Sequence, residues 1–143
     1  MASFNKFFCF VQDVANALHD MKTGTAQVYK VYLTNTAPVA ANTVYNTPAD
    51  LAAGNGYTAG GNSVGTITGG QTAGTFKFVG ATDPAWTASG GSIGPFQYAV
   101  LYNSTSSTKP LIGWWDYGVA ITLTNGNTFT VDLDQANGIL TIT

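Results

Sequence analysis

The sequence predicts a mainly β protein: an antiparallel β-sandwich or barrel with one N-terminal amphipathic helix. Three observations carry this. Apolar residues recur every three or four positions over the first twenty residues, the period changes to two from Thr25 onward, and no later stretch returns to helical spacing. The chain divides accordingly into residues 1–24, a helix packed on or clasping the β domain, and residues 25–143, a single antiparallel β domain.

The helix is placed at about residues 4–21. Phe4, Phe7, Phe8, Val11, Val14, Ala15, Leu18 and Met21 form its apolar stripe, while Asn5, Gln12, Asp13, Asn16, His19 and Asp20 lie largely off it. Ser3 stands where a cap is needed, Gly24 where a left-handed residue ends a helix, and Lys22 near the negative end of the dipole. The first strand follows at Ala26–Thr34, rich in β-branched and aromatic residues and stopped by Asn35-Thr36-Ala37-Pro38. Between Pro38 and Gly74 the pattern is weak, which fits either short edge strands or an interaction loop. Further strands are expected at Thr75–Val79, Phe96–Asn103, Leu111–Tyr117, Val119–Leu123, Thr128–Asp134 and Gly138–Thr143.

Parity selects one hairpin loop. A two-residue Asn125-Gly126 turn would set Ile121 opposite Thr130 and mix the faces, whereas a three-residue Thr124-Asn125-Gly126 loop sets Ile121 across from Phe129 and Val119 across from Val131. The other face then carries Thr122, Thr124, Thr128, Thr130, Asp132 and Asp134, a polar ladder expected to face water.

Composition excludes several functions. The 143 residues carry five Lys, seven Asp, no Arg and no Glu, against 21 Thr, 11 Asn and 17 Gly. A net charge of -2 without Arg argues against nucleic-acid binding, which depends on neutralising phosphates. Three Trp, seven Tyr and eight Phe supply enough apolar area to exclude intrinsic disorder. One cysteine, Cys9, permits neither an internal disulfide nor a zinc cluster, and inside a Phe-rich segment it reads as packing. The apolar run Phe7–Val11 is too short for a signal peptide, and no stretch approaches the about 18 apolar residues of a membrane span. A soluble protein with no membrane partner and no export signal is expected.

The motif matches are weak. Gly61-Asn62-Ser63-Val64-Gly65 and Gly90-Gly91-Ser92-Ile93-Gly94 fit the nucleophile-elbow pattern, but no helix is expected after either, and the single histidine, His19, precedes both. Gly54-Asn55-Gly56-Tyr57-Thr58-Ala59 imitates a dinucleotide loop and equally lacks the helix that would meet a pyrophosphate. Asp132 and Asp134 share a strand face, where a solvated edge outweighs calcium or glycosidase chemistry. Asn103-Ser104-Thr105 is a glycosylation sequon only if the chain is exported. In Trp114-Trp115-Asp116-Tyr117, alternation sends Trp115 and Tyr117 to one face and Trp114 and Asp116 to the other. Core plus subunit interface is favoured there over a carbohydrate platform. No catalytic residue, cofactor or metal site is expected; the candidate interface residues are Phe4, Phe7, Phe8, Trp114, Trp115 and Tyr117.

Five segments resemble a family of small tailed-bacteriophage virion proteins. They are Phe4-Asn5-Lys6-Phe7-Phe8-Cys9-Phe10-Val11, Leu33-Thr34-Asn35-Thr36-Ala37-Pro38-Val39-Ala40, Ala52-Ala53-Gly54-Asn55-Gly56-Tyr57-Thr58-Ala59-Gly60-Gly61, Ile93-Gly94-Pro95-Phe96-Gln97-Tyr98-Ala99-Val100-Leu101-Tyr102-Asn103, and Leu111-Ile112-Gly113-Trp114-Trp115-Asp116-Tyr117-Gly118. The resemblance covers nearly the whole chain and implies a capsid cement, or decoration, protein. Its expected partners are the phage major capsid protein and further copies of itself, as a homodimer or homotrimer. Its expected location is the outer surface of the capsid after synthesis in the host cytoplasm. A tail fibre or receptor-binding virion protein is the alternative.

Overall fold

The computed structural model describes residues 2–143 and is mainly β, with antiparallel sheets and one short helix. In chain order the elements are β1 (Phe4–Lys6), α1 (Cys9–Ala15), β2 (Tyr29–Thr34), β3 (Asn62–Ser63), β4 (Ile67–Thr72), β5 (Thr75–Gly80), β6 (Ala85–Thr87), β7 (Ile93–Asn103), β8 (Leu111–Leu123), β9 (Thr128–Thr130) and β10 (Leu140–Ile142). They form a five-stranded sheet β1-β8-β7-β2-β3, a three-stranded sheet β10-β5-β4 and a β6-β9 pair. No sheet closes on itself, so the barrel alternative is not realised. All three contribute to one apolar core, with Val31 and Leu33 from β2, Phe78 from β5, Trp86 from β6, Phe96 from β7 and Ile112 from β8. A smaller cluster of Phe7, Tyr32, Val100, Tyr102 and Leu111 lies apart from it. Among the described residues no helix is long and apolar enough to cross a membrane.

The expected helix over 4–21 is corrected. Only Cys9–Ala15 is helical; Phe4–Lys6 is an edge strand antiparallel to β8, pairing Phe4 with Trp115 and Lys6 with Gly113. Residues three apart share a face in a helix but take opposite faces in an extended chain. Phe4 accordingly packs with the main core and Phe7 with the smaller cluster, so two partners replace the single stripe. Gly113 admits the strand, because a Cβ there would stand 2.2 Å from the Phe4 ring. Ser3 caps nothing; Phe8 is the N-cap residue and its side chain makes no capping hydrogen bond. The helix ends well before Gly24. Ala17 takes the left-handed conformation (φ 57°), and the Ala17 and Leu18 amides donate to the carbonyls of Val14 and Asp13, which is a Schellman cap. Gly24 is also left-handed, but there its amide donates to the Ile67 carbonyl of β4.

The expected β8–β9 hairpin is corrected as well. The Thr124–Asn127 turn forms, with Gly126 left-handed and the Asn127 amide donating to Thr124 O at 3.1 Å. Its flanks then part: Ile121 pairs with Phe96 and Leu123 with Ile93 on β7, while Phe129 pairs with Trp86 on β6. The cause lies in the turn itself. The Asn125 side chain accepts the Gly90 amide, and Gly126 and Asn127 exchange backbone hydrogen bonds with Ala88, which draws the chain toward β6. After the turn the alternation survives this change of partner, since Val131 and Leu133 are buried and the Thr and Asp ladder from Thr122 to Asp134 is exposed, but Val119, expected on the apolar face opposite Val131, falls in the irregular part of β8 and is 59% exposed.

The two strands expected at 111–117 and 119–123 are one strand with a wide bulge. Between Asp116 (opposite Tyr98) and Ile121 (opposite Phe96) β8 has four residues, where β7 has only Gln97. Within the weakly patterned 38–74 stretch, β3 and β4 are both edge strands. The rest of that stretch is held by Asp50, whose carboxylate accepts from the Tyr45 hydroxyl (2.7 Å), the Tyr57 hydroxyl (2.5 Å) and the Gly60 amide (2.6 Å).

Candidate functional site

The six candidate interface residues separate into three environments. Phe7 is fully buried and stacks against Trp114 at a centroid distance of 4.5 Å, so Phe7 is core and Trp114 covers the smaller cluster. Phe4, Trp115 and Tyr117 come together on the other face of β8, as alternation along the strand requires. Phe8 belongs to neither group and is 70% exposed.

Phe4, Trp115 and Tyr117 line a groove of about 560 Å³, within the size range of small-ligand sites. Phe4 leans on Trp115 at 5.0 Å. Phe129 packs edge-on against Phe96 at 4.9 Å and against Tyr117 at 6.0 Å. Tyr117 is the first residue of the bulge and is 56% exposed. Polar groups rim the aromatic floor, and none of the lining residues is Lys.

The two rim aspartates have different roles. Asp134 accepts from the Ala136 and Asn137 amides and the Asn137 side chain, which hold its carboxyl below the ordinary aspartate range. That makes it a turn-forming residue. Asp132 accepts no hydrogen bond from the described residues and faces solvent. Asp116 is occupied by the Gln97 side chain and the Gly118 amide.

A second apolar surface lies at the start of α1. Phe8 and Val11, one helical turn apart, are 70% and 59% exposed. The Phe8 amide donates to Ala40 O at 2.9 Å and so ties this turn to the loop bearing Val39, which is 60% exposed. None of the three lines the groove.

The remaining reactive groups are structural. The Cys9 thiol points at the carbonyls of Asn42, Thr43 and Leu111, and burial with the nearby Asp13 charge pushes it up to about 11, far from a thiolate at neutral pH. His19 is buried against Phe10 and Tyr29, and desolvation lowers it to about 4. The Tyr102 hydroxyl, bonded to Gly60 O, is raised to about 12 by burial and by the Asp50 charge. Neither serine of the nucleophile-elbow matches precedes a helix, because the only helix among the described residues is α1.

Sequence reasoning missed Phe129 and Val39 as surface components. Phe129 carried a signal, since alternation placed it with the core-facing residues of its strand. Val39 carried none, because its placement depends on the loop tied to α1. No protein-family model, curated protein or solved structure matches the chain.

Proposed function

We propose that this chain is a structural virion protein that binds the outer surface of an assembled phage capsid and bridges neighbouring capsomers, as a cement or decoration protein does. The family resemblance of its sequence supports this reading. The structural observation that carries it is the presence of two separate apolar surfaces, Phe8/Val11/Val39 and the Phe4/Trp115/Tyr117 groove, on one small chain. A bridge needs two contacts, and a chain already held at one of them meets the second at high effective concentration. Covering side chains such as Phe8 and Val11 is worth about 1.5–3 kcal/mol each. Contacts of that size are weak singly and strong when repeated over a shell.

The test is reconstitution on assembled heads that lack the protein, together with its copy number in purified virions. We expect hundreds of copies over the head, and loss of attachment in Phe8→Ser and Val11→Ser proteins that still fold. A few copies at the tail tip would transfer the assignment to the tail fibre or receptor-binding alternative. Undiminished attachment of both variants would refute the docking role of the α1 surface.

A further inference from the structure

We propose that Asn55-Gly56 is a self-modification site, where the folded chain converts asparagine to aspartate and isoaspartate with water as the co-reactant. The inference is independent of the capsid reading. Three Asn-Gly pairs occur, at 55–56, 125–126 and 137–138. Glycine favours cyclisation of the preceding asparagine, because no side chain shields the attacking backbone nitrogen. All three asparagines are exposed, so exposure does not separate them. Hydrogen bonding does. The Gly126 amide donates to Ala88 O at 2.7 Å and the Gly138 amide to Asp134 O at 2.8 Å, whereas the Gly56 amide has no acceptor among the described residues. Asn55 and Gly56 are the two central residues of a type I′ turn, with φ of 54° and 92°. Gly54 and Tyr57 exchange both of its backbone hydrogen bonds, and neither uses the Gly56 nitrogen. The Asn55 side chain is tied by one bond, Nδ2 donating to Ser92 O at 2.9 Å.

Hydroxide removes the Gly56 amide proton, the nitrogen attacks Asn55 Cγ, and the Cγ–Nδ2 bond breaks, Nδ2 leaving as ammonia with a proton from water. The five-membered imide then adds one water. Cleavage of its Cγ–N bond gives aspartate, and cleavage of the bond from the Asn55 backbone carbonyl carbon to that nitrogen gives isoaspartate. The imide nitrogen carries no hydrogen, so the same step at Asn125 or Asn137 must first free a glycine amide from its carbonyl. The consequences differ as well. At Asn55 either product replaces the N–H donor facing Ser92 O with a carboxylate, which releases the turn from the segment before β7. Asn125 instead accepts, its Oδ1 taking the Gly90 amide at 2.9 Å, and an aspartate there keeps the bond.

The experiment ages the full chain at mildly alkaline pH and maps each Asn-Gly pair over time by peptide mass spectrometry, with isoaspartate read by enzymatic carboxyl methylation. The same chain unfolded in urea is the reference, in which the three pairs, alike in sequence, react at comparable rates. In the folded chain we expect Asn55 to convert about fivefold faster than Asn125 or Asn137, the scale of one hydrogen bond. Asn55→Asp should unfold at a lower temperature than Asn125→Asp, because only the first loses a donor. Conversion at Asn125 or Asn137 that equals or precedes conversion at Asn55 in the folded chain would overturn the proposal. So would an unmodified Asn55 in the folded chain once the urea reference has fully reacted. The reverse order of unfolding temperatures in the two aspartate variants would refute the release of the turn.

Discussion

Acidification tests the packing of the N-terminal segment through His19, the only histidine of the chain. Its ring is buried between Phe10 and Tyr29, with Nδ1 3.4 Å from the Asn103 side-chain nitrogen, which donates to Gln27 Oε1 (2.8 Å) and Leu18 O (3.1 Å). Nε2 is buried without a hydrogen-bond partner among the described residues. Desolvation lowers the folded-state value to about 4 from 6.5, against a partial opposing pull from the Asp13 carboxylate. A base whose folded value is depressed is protonated more readily when unfolded. Its contribution is therefore complete above pH 6.5, falls as pH drops through the unfolded value, and levels off below about 4. The slope inside that window is about 1.4 kcal/mol per pH unit, and the whole loss is about 3 kcal/mol. The chain has no Glu, and the Asp20 and Asp134 carboxyls, held below the ordinary aspartate range, add losses of the same sign only toward the acid end, so the interval from pH 7 to 5.5 isolates His19. Urea unfolding at pH 7, 5.5 and 4.5 should show stability falling by about 2–3 kcal/mol in the native chain. His19→Gln, which has no titrating ring, should remain nearly flat from pH 7 to 5.5. Ring-proton NMR should place the His19 titration near 4. Parallel pH curves for the two proteins, or a His19 titration near 6.5, would refute the buried placement of residues 18–21.

Two further predictions test the local geometry. Phe7→Ala should cost about 3–5 kcal/mol in denaturant unfolding, because a fully buried ring leaves a cavity, whereas Phe8→Ala, one residue on, should stay within about 0.5 kcal/mol. Two left-handed glycines should respond unequally to alanine. Gly126 is open around its Cα, so Gly126→Ala should cost about 1–2 kcal/mol of backbone strain alone. Gly61→Ala adds a Cβ 1.8 Å from Val31 O on β2, so its loss in thermal unfolding should be clearly larger.

How much of this was legible follows from the range of the forces involved. The alternation of Trp114 and Trp115 between faces, the exposed Thr and Asp ladder, and the left-handed Gly126 are local. Side-chain direction and backbone conformation are set by immediate neighbours. The sequence by itself therefore determined a β-rich fold, the facing of its strands and one N-terminal helix. Partner choice is a different matter. Spacing of three and four between Phe4, Phe7 and Phe8 satisfies a helix, but Phe4 and Phe7 gain more by entering two clusters on opposite sides of β8, in a place left open by Gly113 more than a hundred residues away. Ile121 and Phe129 match in parity, yet the Asn125 side chain and the Gly126 and Asn127 backbone are captured by the segment before β7. The groove depends on both outcomes. Phe4 lines it because β1 pairs with β8, and Phe129 lines it because β9 leaves β8 for β6. Such choices are made by long-range burial and by hydrogen-bond capture between distant segments, which no local pattern encodes.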